Sequence, residues 1–80
     1  MDYTHSIAGS RCEVILKGRF TFFDTAPFGN IRSLFATPGL KSLVLNFKNV
    51  EFIDSAALGM LLLAKEEADA RNITLVLADP

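Results

Sequence analysis

The residues of this chain that could do chemistry are few: His5, Cys12, the carboxylates Asp24 and Asp54, and the hydroxyl of Ser55 beside Asp54. His5 is the single histidine and Cys12 the single cysteine, so the usual tetrahedral nitrogen and sulfur sets that hold zinc cannot be assembled. A nucleophile–histidine–acid triad would have to recruit His5 from a short N-terminal strand. No strand leads into a G-x-G-x-x-G or G-x-x-x-x-G-K phosphate loop. Asp24 and Asp54 fall where the residue pattern passes from loop to helix. There a carboxylate or hydroxyl caps orphan backbone N–H groups without any catalysis. Asn72-Ile73-Thr74 matches a glycosylation acceptor, which would matter only in a secreted protein. No catalytic set, metal site or cofactor is expected, and the chain reads as a non-enzymatic protein.

The elements that must position Asp54 and Ser55 can be read from periodicity. Tyr3 to Ile7 is a first strand, closed by a turn at Gly9-Ser10. Cys12 to Phe20 is a second. Cys12, Val14, Leu16, Gly18 and Phe20 share one face, with Glu13, Ile15, Lys17 and Arg19 opposite, the alternation of a half-buried strand. Asp24-Thr25-Ala26-Pro27 signals a helix start, and Phe28, Ile31, Leu34 and Phe35 recur at helical spacing. Gly29 and Asn30 weaken this helix, and Pro38-Gly39 ends it. Leu40 to Phe47 is the most apolar strand and is expected at the centre of the sheet. Asp54 or Ser55 caps a second helix reaching Arg71, with Ala57, Met60, Leu61, Ala64 and Ala68 inward. Lys65–Asp69 and Glu67–Arg71 stand at i,i+4 spacing. Asn72 ends this helix, and Ile73 to Ala78 is a last strand.

Helices between successive strands imply right-handed crossovers and a parallel centre, while the first two strands form an antiparallel hairpin. The expected fold is α/β: one small mixed sheet with helices packed on one face, in a single domain over residues 1–80.

Composition narrows the function classes. Eight Lys and Arg against nine Asp and Glu, with no two basic residues adjacent, leave no clustered basic face, so nucleic acid is not an expected partner. Half of the residues are hydrophobic, seven of them Phe, which excludes the polar, highly charged composition of a disordered chain. A single cysteine forms no internal disulfide, and Cys12 reads as a small buried hydrophobe. The start Met1-Asp2-Tyr3-Thr4-His5 lacks the regions of a signal peptide. No apolar run approaches the ~18–20 residues that span a bilayer. A cytoplasmic protein with no direct membrane insertion is expected.

The segment from Val44 to Leu61 is the most specific part of the chain. Phe52-Ile53, Asp54-Ser55, Ala56, Leu58 and Gly59 follow an apolar strand, and this succession resembles the signature of STAS domains, the family that includes bacterial anti-sigma factor antagonists. Gly18-Arg19-Phe20 resembles the end of the family's second strand, and Leu75-Val76-Leu77-Ala78 the strand after its signature helix. The sequence departs from the family pattern at Ala57, where Gly is usual, and at Thr21, often an acid. Ala57 is expected to place a methyl group where a partner's backbone would approach.

The resemblance implies a bacterial signalling module that acts in transcription regulation by binding a protein partner. In the antagonists that partner is a serine kinase that is also the anti-sigma factor, and a metal-dependent serine phosphatase reverses the modification. It implies phosphorylation at Ser55 and a docking surface of Asp54, Ser55, Ala56, Leu58, Gly59 and Leu62. Other members of the family are constitutive accessory subunits of a lipid-transport ATPase or domains of anion transporters, and the resemblance admits that alternative. STAS domains usually continue with a further helix, which this sequence does not supply before Asp79-Pro80. The last strand is therefore expected to be an open sheet edge, as in a fragment or in a chain that self-associates there.

Overall fold

The structure is a computed structural model that describes residues 1–79; the reading of the chain's end at Pro80 lies outside the described residues. Four strands form one sheet in the order β1-β2-β3-β4. They are β1 Asp2–Ala8, β2 Arg11–Phe20, β3 Ser42–Ile53 and β4 Thr74–Ala78. The β1–β2 pair is antiparallel, and β2–β3 and β3–β4 are parallel, as the connections require. Two helices, α1 Thr25–Arg32 and α2 Ser55–Ala70, supply the crossovers.

Alternation decides where the core sits. Cys12, Val14, Leu16 and Phe20 of β2 and Leu43, Leu45 and Phe47 of β3 are buried together with Phe28 and Ile31 of α1 and Ala57, Leu61, Ala64 and Ala68 of α2. Both helices thus cover the same sheet face. Leu61 and three alanines bring α2 close to the sheet, because small side chains hold the helix axis near the strands.

Helix ends follow local chemistry. Asn72 sits at a left-handed φ of 58°. The N–H of Ile73 donates to the carbonyl of Ala68 at 2.8 Å and that of Asn72 to Asp69 at 3.2 Å, the paired closing bonds that satisfy orphan carbonyls.

Three elements differ from expectation. β3 runs to Ile53 rather than Phe47, because polar Lys48 and Asn49 end the apolar pattern while the pairing with β2 resumes at Asn49 beyond a bulge. Register shifts after Ile15 and after Gly18 let β3 bulge past β2. The N–H of Lys48 donates to Asn46 Oδ1 at 2.9 Å, and Gly18 absorbs a φ of 93° that other residues rarely adopt. α1 stops at Arg32, and Leu34 and Phe35 lie on a separate 3₁₀ turn, Ser33–Ala36, in keeping with the poor helix formers Gly29 and Asn30. Another 3₁₀ turn, Phe22–Asp24, precedes α1, and Asp24 makes no side-chain bond to that helix.

Candidate functional site around Asp54 and Ser55

Parallel pairing brings the C-terminal ends of β2 and β3 side by side, with Phe20 opposite Ile53. The loop leaving β2 and the start of α2 therefore meet. The N–H of Asp54 donates to the carbonyl of Phe20 at 3.3 Å. Asp54 holds an extended conformation at the N-cap of α2. Its Oδ1 accepts the N–H of Ala57 at 2.8 Å and its Oδ2 the N–H of Phe22 at 3.0 Å. One carboxylate thus closes an orphan donor of α2 and ties the preceding loop to the helix. The N–H of Ala57, and then that of Phe22, hold the Asp54 carboxyl below the ordinary aspartate range, against partial burial and the charge of Asp24.

Asp54 rather than Ser55 is therefore the cap. Ser55 is the first residue of α2 and is exposed, and its hydroxyl has no hydrogen-bond partner among the described residues. Leu58, Gly59 and Leu62 follow it at the i, i+3, i+4, i+7 spacing of one helix face. All are exposed, Leu58 by 54% and Leu62 by 69%. Ala56 is half-buried at the margin. Ala57 points the other way, as helical spacing places it: it is fully buried in the core, so its methyl does not meet a partner as its departure from the family pattern suggested.

The loop after β2 adds residues that sequence reasoning did not assign to the site. Thr21 caps the 3₁₀ turn in a reciprocal box with Asp24, whose Oδ2 accepts the Thr21 N–H at 2.8 Å. The other oxygen of Asp24 binds the amino terminus of Met1 at 2.8 Å. Burial pushes the Asp24 carboxyl upward, but the Met1 ammonium and the Thr21 N–H outweigh it and hold the group below its ordinary range. Asp24 is thus a latch for the loop and the N-terminus, not the helix cap its sequence context suggested. Phe22 and Phe23 stand out of this turn, 64% and 89% exposed, with rings edge-on at 5.6 Å. Two adjacent phenylalanines between a strand and a turn-forming aspartate, where strand alternation has ended, were the available signal.

Other candidates do not converge on the site. His5 is exposed on the edge strand β1, opposite Val14. Cys12 is fully buried, which pushes its thiol pKa up. Among the described residues no cluster of three His, Cys, Asp or Glu could hold a metal ion, and no helix is long and apolar enough to cross a membrane. The arrangement presents a free hydroxyl and an apolar flank beside a capped helix start, a surface suited to a docked protein.

Comparison with known proteins finds a matching family and similar folds. The sequence profile of the STAS domain matches residues 7–80. No curated protein sequence matches the chain. The unphosphorylated anti-sigma factor antagonist SpoIIAA superposes with a TM-score of 0.80 at 17% identity, over 99% of this chain and 74% of that one. The protein Mglu gives 0.77 at 19% identity, over 96% of this chain but only 19% of its own. A sulfate transporter family protein from Wolinella succinogenes gives 0.74 at 18% identity, over 90% and 58%. At these identities the likeness concerns the fold.

Proposed function

The chain belongs to the STAS domain family, and from that premise we propose that it is a non-enzymatic signalling module of the anti-sigma factor antagonist kind. In this reading it works in the bacterial cytoplasm and docks a serine kinase that doubles as an anti-sigma factor. The docking surface is Asp54, Ser55, Ala56, Leu58, Gly59 and Leu62, extended by the exposed Phe22 and Phe23. Phosphorylation of Ser55 by the docked kinase releases it, and a serine phosphatase restores binding.

The observation that supports this reading is the division of labour at the helix start. Asp54 does the capping, so the Ser55 hydroxyl is structurally spare and exposed. A phosphate there adds about −1.5 to −2 charges. The helix dipole and free N–H groups favour such an anion by ~0.3–1 kcal/mol, while the Asp54 carboxylate opposes it. With these effects set against each other the fold tolerates the modification. A partner packed on the exposed Leu58 and Leu62 would instead have to desolvate the new charge, which is costly.

Affinity capture from the native cell with phosphosite mapping tests the proposal. A kinase recovered with wild type and Ser55→Ala but lost with Ser55→Glu, together with phosphate on Ser55, is the expected result. A second reading, a constitutive STAS subunit of a lipid-transport ATPase or a domain of an anion transporter, draws on the fold shared with the sulfate transporter family protein. Equal recovery of transporter subunits by all three forms would select it.

A further inference from the structure

The two register shifts of the β2–β3 pair open the sheet surface between them. Ile15 faces Asn46 and Lys17 faces Asn49, so β3 carries one extra residue there. Gly18 faces Val50 and Arg19 faces Phe52, which makes Glu51 a second extra residue. Bulged residues bend their strand and leave the ladder locally unpaired. Between these bulges lies an open depression of about 450 Å³, lined by Lys17, Gly18, Lys48, Asn49, Val50 and Glu51. Gly18 adds no side chain to it, and a Cβ at that position would meet nothing within 4 Å.

The depression gathers cations that the chain order keeps apart. Arg32, Lys65 and Arg71, on the helices or at their ends, are all ion-paired. Lys17, Arg19 and Lys48, all on the sheet, form no ion pair among the described residues. Glu51 on the rim pairs with neither lysine, and nor does Asp2, which stands opposite Lys17 on β1. Asn49, the cross-strand partner of Lys17, is exposed, and its side-chain amide has no hydrogen-bond partner among the described residues. Two residues on from Lys17, Arg19 is held 4.4 Å over the Phe52 ring. From these features we propose that the depression binds the phosphoryl group of a small phosphorylated molecule, held between the Lys17 and Lys48 ammonium groups and the Asn49 amide.

Charge and size both favour that ligand. Two ammonium groups in one depression repel each other. A phosphoryl dianion offsets that repulsion, whereas a single carboxylate neutralises only one of them. Lysine binds phosphate as a point charge and needs no fixed fork geometry. A space of about 450 Å³ falls within the roughly 300–1,000 Å³ of small-molecule sites, so an organic group fits beside the phosphate. Glu51 on the rim disfavours a long polyanion. None of these residues belongs to the docking surface around Asp54 and Ser55, so the site stands or falls independently of that reading.

Amide chemical shifts of the labelled 80-residue chain test the proposal, with glucose 6-phosphate as the soluble probe and glucose as its control. The titration is run at about 0.15 M salt, where attraction between exposed charges is screened beyond ~8 Å. Vesicles of phosphatidylcholine containing phosphatidic acid, assayed by co-sedimentation, form the second arm. Saturable shifts at Lys17, Gly18 and Lys48 to Glu51 are expected with the sugar phosphate, and none with glucose. Lys17→Gln and Lys48→Gln should each weaken binding by about fivefold, and the double variant should abolish it, with unchanged melting curves. Lys41→Gln, which removes another unpaired cation just before β3 begins, should bind as wild type does. Vesicle binding alone, if the double variant removes it, assigns the same phosphoryl site to a lipid headgroup. No binding in either arm overturns the proposal. So does binding that the double variant leaves undiminished, or that Lys41→Gln weakens equally.

Discussion

Ala57→Gly restores the residue usual in the family and, on this structure, should damage the protein. Ala57 is the third residue of α2, and its side chain is fully buried between that helix and the sheet. Removing the methyl withdraws one buried carbon, worth about 0.8 kcal/mol. Glycine in a helix costs up to about 1 kcal/mol relative to alanine, and less in the first turn. The N–H that donates to Asp54 is retained, so the cap survives. The sum is about 1.5 kcal/mol, which in a domain of this size lowers the melting temperature by roughly 6–12 °C. Urea titration followed by circular dichroism measures it. Partner capture should be unchanged, because the methyl faces the core. A variant as stable as wild type but with altered partner capture would falsify this placement of Ala57 and put its methyl back on the docking surface.

The exposed position of Ser55 implies that Ser55→Ala and Ser55→Glu each change stability by less than about 0.5 kcal/mol, so a melt distinguishes loss of binding from loss of fold. Asp54 and Asp24 are both held below the ordinary aspartate value of 3.8. Each binds its proton more weakly folded than unfolded, so its contribution is complete above that value and is lost as pH falls below it through the folded values. Urea midpoints should be level from about pH 7 to 5 and fall below about pH 4, and Asp54→Asn should flatten part of that fall. The Cys12 thiol, fully buried with its pKa raised, should react with a thiol reagent only as fast as the domain opens. Immediate reaction in the native state would contradict its burial.

Much of the fold was legible along the chain because it is encoded by short-range patterns. The face shared by Cys12, Val14, Leu16 and Phe20 follows from alternation, and the inward stripe of α2 from helical spacing. The turn at Gly9-Ser10 and the stop at Asn72 rest on backbone conformations that few residues accept. The Lys65–Asp69 pair forms at the predicted i,i+4 spacing. β3 was read short because alternation is lost when a bulge inserts an extra residue, although the hydrogen-bond ladder resumes beyond it.

The sequence by itself determined that Asp54 and Ser55 stand at the start of a helix leaving an apolar strand, and that the fold is a mixed α/β sheet. It could not determine which of the two caps the helix, since either oxygen satisfies the same N–H groups. Tertiary structure decided that by bringing the Phe22 N–H to Asp54 across 32 positions of chain. It likewise turned Asp24 toward the Met1 amino terminus, 23 positions away. Contacts between residues so far apart leave no periodic trace in the chain: the first exists because parallel pairing sets the ends of β2 and β3 side by side, the second because the antiparallel β1–β2 hairpin returns Met1 to the end of β2.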